Sequence, residues 1–260
     1  MCELFALDTK YPVNATEYLR DFFSHSTENP HGWGLAQPSE QGCILEKEPM
    51  MAAKSQYLKA RLSGEFRSSL LMAHIRYATI GSEEYNNCHP FTGTDNTGRQ
   101  WTLMHNGTIF HYSALNRFLH TQQGRTDSER IFLHLLDQLN QSNRRKRKLS
   151  REERFEVVDS VVRKMAKGNK LNLVIYDGEI LYVHTNEKHT LFTLETDEGR
   201  LFATKPLLHS TVESKWKPVP LMQVLAYNNG RLIREGQRHS HDYVYDPKHY
   251  EELYLAYSEL

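Results

Sequence analysis

Residues 150–184, SREERFEVVDSVVRKMAKGNKLNLVIYDGEILYVH, decide the fold class. Ser150 and Glu153 form a capping-box pair, in which each side chain takes up the other's backbone N–H at a helix start. Phe155, Val158, Val162 and Met165 then recur at helical spacing until Gly168 stops the helix. Past Gly168 the pattern changes. Residues 173–176 and 180–184 are short apolar runs across Asp177-Gly178, which is a hairpin signature. Working outward, residues 127–140 predict another helix, with Ile131, Phe132, Leu135, Leu136 and Leu139 on one face. A basic run, Arg144-Arg145-Lys146-Arg147-Lys148, separates these two helices. Residues 15–24 also fit a helix, with Leu19, Phe22 and Phe23 apolar. Two further hairpins pair residues 190–194 with 200–204 across Asp197-Glu198-Gly199, and 222–227 with 231–234 across Asn228-Asn229-Gly230. Residues 70–74 and 101–105 read as strands, the second ending in the turn pair Asn106-Gly107. Strands before and after two consecutive helices do not give the alternation of a parallel sheet. The reading is α+β with mostly antiparallel sheets.

Composition narrows the function classes. The chain has 260 residues, with 32 Lys plus Arg against 32 Asp plus Glu. The length permits one large domain or two small ones, and no linker or repeat divides it, so residues 1–260 are taken as a single domain. Charge balance excludes a general electrostatic case for nucleic acid or an anionic membrane. No apolar run is long enough to span a bilayer. Cys2, Cys43 and Cys88 are too few and too scattered for a disulfide framework or a zinc knuckle. The N-terminal MCELFALDTK lacks the basic and apolar regions of a signal peptide. A cytoplasmic protein with free thiols is expected, which makes the sequons at Asn14 and Asn106 irrelevant as glycosylation sites.

Cys2 follows the initiator Met directly, so trimming of Met1 would put its thiol beside its own α-amine. That amine has an ordinary pKa of about 7.7–8.0 and can accept the thiol proton, so one residue supplies nucleophile and base. Taken alone, Cys2 is equally a small buried hydrophobe at a chain end. Three other segments add to it. His74-Ile75-Arg76-Tyr77-Ala78-Thr79 puts Arg76 where the chain leaves a strand, able to hold a carboxylate by two parallel bonds. An ordinary surface ion pair would use the same residue. In His105-Asn106-Gly107, the Asn106 side-chain amide and the Gly107 N–H can supply two donors to one oxyanion; a plain turn has the same residues. Thr126-Asp127-Ser128-Glu129 opens a helix, where Asp127 could face a substrate ammonium, serve the first helical turn, or do both.

Together these pieces resemble the glutaminase domain of class II glutamine amidotransferases, which are N-terminal nucleophile (Ntn) hydrolases. The resemblance rests on Cys2 and on His74 to Thr79 as H-x-R-x-A-T. It continues through Asn87-Cys88-His89-Pro90 as N-x-H-P, His105 to Gly107 as H-N-G, and Thr126 to Glu129 as T-D-[ST]-E. Asn29-Pro30-His31-Gly32-Trp33-Gly34-Leu35-Ala36 is similar to the family's glycine-rich stretch, and weaker similarity reaches Ala203-Thr204-Lys205-Pro206-Leu207. The resemblance implies a four-layer αββα sandwich with no metal and no organic cofactor. It implies that Cys2 attacks the side-chain amide of glutamine, forming a γ-glutamyl thioester and releasing ammonia. Asn106 and Gly107 would hold the oxyanion, Arg76 the α-carboxylate and Asp127 the α-amino group, while Thr79, His89 and Gly81 would line the pocket.

Tyr77 stands where large synthases of this group often have Trp, and Ile80 or Phe91 where they have His, which bears on substrate preference. With no second domain before Leu260, the expectation is that either a separate synthase subunit docks and receives the ammonia, or the protein simply hydrolyses an amide. A dedicated hydrolase of larger γ-glutamyl amines, as in ergothioneine biosynthesis, is the rival within the enzyme class. The rival outside it is a non-catalytic glutamine sensor or docking module.

Other signals carry less. His239, His241 and Asp242 lack a third metal ligand at useful spacing and read as a solvated loop. Cys88 and His89, adjacent in an extended segment, point to opposite sides and make a poor nucleophile–base pair. The basic run reads as a solvated inter-helix loop, and Tyr254, Leu255 and Tyr257 as packing residues of a final element.

Overall fold

A computed structural model of the chain describes residues 2–39, 42–78, 81–143, 147–208, 215–249 and 251. Met1, Thr79, Ile80, the first three residues of the basic run, and Tyr254, Leu255 and Tyr257 lie outside these residues.

Two antiparallel sheets stack face to face. The first is built from β1 (Glu3–Asn14), β2 (Trp33–Ser39), β3 (Gly42–Glu48), β4 (Arg67–Ile75), β9 (Phe192–Glu195), β10 (Gly199–Ala203) and β11 (Lys217–Pro218). Its strand order is β11-β9-β10-β1-β4-β2-β3. The second contains β5 (Phe91–Thr94), β6 (Gln100–Thr108), β7 (Lys170–Tyr176), β8 (Leu181–Thr185), β12 (Leu225–Asn228) and β13 (Arg231–Glu235), in the order β13-β12-β8-β7-β6-β5. Helices α1 (Thr16–Ser24) and α2 (Gln56–Arg61) cover the first sheet; α3 (Asp127–Ser142) and α4 (Arg151–Ala166) cover the second. The layers therefore run αββα.

Side-chain alternation builds these layers. Phe5 and Leu7 of β1 face the α1 layer, where Leu19, Phe22 and Phe23 meet them. Leu4 and Ala6 face the other sheet and join Met72, Met104, Val174 and Val183 between the sheets. Each of the larger side chains, fully buried, contributes about 1.5–3 kcal/mol of transfer free energy. On the far side, Ile131, Leu135 and Leu139 of α3 and Phe155, Val158 and Val162 of α4 pack on Leu103, Leu171 and Leu173. Both helices start as the sequence requires. Thr126 Oγ1 accepts the Glu129 N–H, and Ser150 with Glu153 closes a capping box. The turn at Asp177-Gly178 is fastened to α4 by Arg154, whose Nε donates to Asp177 Oδ2 at 2.6 Å, an oxygen that also accepts the Tyr182 hydroxyl at 2.7 Å.

One expected turn is not a turn. Asn106-Gly107 lies inside β6, which runs on to Thr108 because Asn106 pairs with Asn172, Gly107 with Leu171 and Thr108 with Lys170. The β7 ladder claims the dipeptide, and the chain reverses further on. Among the described residues no helix is long and apolar enough to cross a membrane.

Candidate functional site

Antiparallel pairing brings four chain segments to one end of the sandwich. Glu3 at the start of β1 pairs with Ile75 at the end of β4, so Cys2 lies beside Arg76 and Tyr77. The Cys2 thiol sits between the backbone groups of Tyr77, whose N–H donates to Sγ at 3.2 Å and whose carbonyl lies 3.3 Å from it. From the second sheet, Asn106 Nδ2 donates to the Cys2 carbonyl at 2.7 Å. An amide nitrogen has two N–H groups, so this bond leaves Asn106 a further donor. Gly107 has no room for a side chain, since a Cβ there would stand 2.0 Å from the Lys170 carbonyl oxygen.

The charged flanks are fixed mostly by backbone. The Arg76 guanidinium donates to the carbonyls of Ser82 at 2.9 Å and Gly81 at 3.1 Å. Gly81 has φ +79°, a left-handed conformation in which glycine is unstrained. Asp127 is the first residue of α3, and its Oδ2 accepts the Ile109 N–H at 2.9 Å. Both charges act on Cys2. Burial pushes its thiol above the ordinary range, while the Tyr77 backbone contact and Arg76 pull it down and Asp127 opposes them.

Cys2, Arg76, Gly81, Asn106, Gly107 and Asp127 are thus brought together. His89 is not on an open wall. It is buried between the sheets, stacked on His74 with ring centroids 4.1 Å apart, and Phe91 meets it edge-on at 4.7 Å. Burial pulls both imidazoles far below their ordinary pKa, that of His74 to about 3, so they are neutral. Cys88 faces away from His89, against Gly32 and the carbonyls of Glu48 and Glu84. The segment holding His239 is more than solvated loop: His239 Nε2 lies 3.0 Å from Nε2 of the buried His184, and His239 Nδ1 accepts the His241 N–H at 3.1 Å.

Two further residues, His31 of the glycine-rich stretch and Asn87 of the N-x-H-P segment, brace the site in ways their motifs do not reveal. His31 Nδ1 accepts the Ala78 N–H at 2.9 Å, and its own N–H donates to the Arg76 carbonyl, so it braces the loop that holds the thiol. Asn87 donates to the Ser82 carbonyl and accepts the Arg125 N–H, tying the Arg76 loop to the approach of α3. The signal was the N-x-H-P motif, but its spacing does not reveal this clamp.

Comparison with known proteins agrees with this architecture. A family model described as "Glutamine amidotransferases class-II" matches residues 1–197. An uncharacterized protein of Methanocaldococcus jannaschii is 27% identical over 92% of this chain and 72% of its own length. Escherichia coli YafJ, which bears the provisional name of a glutamine amidotransferase, is 29% identical over 72% of this chain and 74% of its own. Among solved structures, a predicted glutamine amidotransferase from Pseudomonas aeruginosa superposes with TM-score 0.60 at 19% identity, over 90% of this chain and 100% of that one. Glutamine phosphoribosylpyrophosphate amidotransferase from B. subtilis superposes with TM-score 0.65 at 13% identity, over 92% of this chain but 50% of that enzyme. The two superpositions establish the shared Ntn-type sandwich, and with the family match across most of its length the chain belongs to the class II glutamine amidotransferases.

Proposed function

We propose that the chain, acting as a single cytoplasmic domain, hydrolyses the side-chain amide of glutamine through Cys2. The observation that carries this is the convergence, at one end of the two sheets, of the Cys2 thiol, the Asn106 amide, the Arg76 guanidinium and the Asp127 carboxylate.

Removal of Met1 frees the Cys2 amine, which takes the thiol proton directly or through water. Sγ adds to the amide carbon of glutamine, and the oxygen becomes an anion held by the second Asn106 N–H and the Gly107 N–H. Collapse breaks the C–N bond; the nitrogen leaves with the proton from the amine, giving ammonia and a γ-glutamyl thioester. Water then adds to the thioester through a second oxyanion and releases glutamate and the Cys2 thiol. Arg76 takes the substrate α-carboxylate and Asp127 its ammonium, which fixes the amide over Sγ. The resemblance also assigns Thr79, Gly81 and His89 to the lining of the pocket. No step calls for a metal or an organic cofactor. The ammonia passes to a separate synthase subunit or to solvent.

The test is the intact mass of the purified protein before and after treatment with 6-diazo-5-oxonorleucine. Loss of one Met and a single adduct on Cys2 support the reading; a retained Met1 or no adduct on Cys2 overturns it in favour of a binding module. Turnover of glutamine against a panel of γ-glutamyl amines then separates a glutaminase from a hydrolase of larger amides.

A further inference from the structure

Asn169 lies in the turn between α4 and β7, fully buried, and makes more hydrogen bonds than the turn requires. Its Nδ2 donates to the carbonyls of Met165 at 2.7 Å and Lys167 at 3.2 Å, which closes the end of α4. That much is ordinary helix termination. Its Oδ1 does something else. It accepts the N–H groups of Phe110 at 2.7 Å and His111 at 2.8 Å, while Nδ2 also reaches the His111 carbonyl at 3.0 Å. One carboxamide therefore grips three backbone groups of the segment that follows β6.

The residue before that grip is Ile109, whose N–H donates to Asp127 Oδ2. Ile109 is bracketed: Thr108 on one side is paired with Lys170 in the ladder, and Phe110 on the other is held by Asn169. A second support acts from outside. The Tyr243 ring stacks on Phe110 with centroids 6.0 Å apart and planes 7° apart. Tyr243 N–H donates to the Asn186 carbonyl at 2.7 Å, and Asn186 Nδ2 donates to the Asn169 carbonyl at 2.8 Å. The chain of contacts starts at the α4–β7 turn and ends at the carboxylate.

We infer that Asn169 is a positioning residue for Asp127: through the backbone of residues 109–111 it sets the Asp127 carboxylate for the substrate ammonium. The inference rests on the proposed role of Asp127. A residue that only stabilises the fold would weaken every substrate alike, whereas one that aims Asp127 matters only for substrates with an α-ammonium. A carboxylate has about four lone-pair positions, so the Ile109 N–H can orient it and leave it free to accept from the ligand.

The experiment compares glutamine with 4-carbamoylbutanoate, which has the same amide and carboxylate but no amino group, on the full-length, Met1-trimmed enzyme. Asn169→Ala is expected to raise KM for glutamine roughly tenfold, with kcat changed less than about twofold, because the binding that is lost is shared equally by the ground state and the transition state. KM for 4-carbamoylbutanoate should stay at the wild-type value. Tyr243→Ala should give the same selective pattern at about two- to threefold, and Tyr243→Phe, which keeps the ring, should restore it. Should Asn169→Ala fail to fold, the Tyr243 pair decides the matter by the same readout. Equal losses on both substrates overturn the inference and make Asn169 purely structural. Asp127→Asn is the control: if it too treats the substrates alike, the assignment of Asp127 as ammonium ligand fails, and the inference fails with it for that separate reason.

Discussion

The two sheets are joined near Cys2 and again further along β1, and the two joints differ in kind. At the first, a neutral amide, Asn106 Nδ2, bridges to the Cys2 carbonyl, with Arg76 and Asp127 of opposite sign on either side. At the second, some 20 Å along β1 at about 3.3 Å per residue, the Asp8 carboxylate reaches across to the Gly230 N–H at 2.9 Å. Asp8 is 4% exposed. Burial lifts its pKa to about 6, although the Gly230 and Asn229 backbone bonds pull it down. Both joints are one side chain on one backbone group. The first is suited to handling charge, and the second is a plain fastener that includes a charge it has to accommodate. Sheet-to-sheet contact by itself does not distinguish the two joints; the grouping of opposed charges around a thiol does.

Four substitutions can break or sharpen that contrast, the most damaging first. Cys2→Ala should reduce glutamine hydrolysis by at least about 10⁴-fold while the melting temperature barely moves, because the nucleophile acts as one unit with its surroundings. Asn106→Ala should lower kcat by about 10²–10³, as loss of one oxyanion donor does; an unchanged kcat would reduce the first joint to a fastener like the second. At the far joint, Gly230→Ala should leave turnover of the folded protein unchanged and destabilise it by about 2–4 kcal/mol in a denaturant titration. The added Cβ would stand 2.4 Å from the Gly199 Cα, at a residue with φ +73°.

Asp8→Asn is expected to stabilise. The folded pKa of about 6 lies above the ordinary 3.8, so the folded state keeps a proton that the unfolded chain has already released. Stability from this group is therefore full at low pH and falls as pH rises through that interval, by at most about 3 kcal/mol for roughly two pKa units. At pH 7 the asparagine variant should unfold about 1–3 kcal/mol less readily than wild type, and the difference should vanish near pH 4. A wild-type protein more stable than the variant at pH 7 would show that Asp8 is needed as an anion.

Residues 127–140 and 150–184 were legible because their signals are local: caps, helical spacing and Asp177-Gly178 between two apolar runs. The hairpins at 190–204 and 222–234 were legible for the same reason. β1 was not, since Leu4, Phe5, Ala6 and Leu7 are buried on both faces of a central strand and show no alternation. The β2–β3 hairpin went unread as well, its first strand taken for a glycine-rich stretch. Asn106-Gly107 has turn chemistry, but a ladder partner more than sixty residues away overrules it. At the candidate site, Cys2, Arg76, Asn106 and Asp127 are proposed from residue type together with ordered motifs, both of which are written in the sequence. Asn87, His31 and Asn169 could not be named this way, because they act on backbone groups of segments brought near only by folding.

The flanks of β1 are filled from very different places in the chain. β4 supplies one side, and the other is β10, where Phe5 pairs with Ala203 and Leu4 N–H meets Thr204 Oγ1 across 200 residues. A ribosome adding about 5–20 residues per second reaches that partner roughly 10–40 s after it has made Cys2. For that interval one edge of the leading strand, a central strand of the finished sheet, has no partner. The order of synthesis thus leaves the first strand to be made among the last to complete its pairing, when β10 arrives.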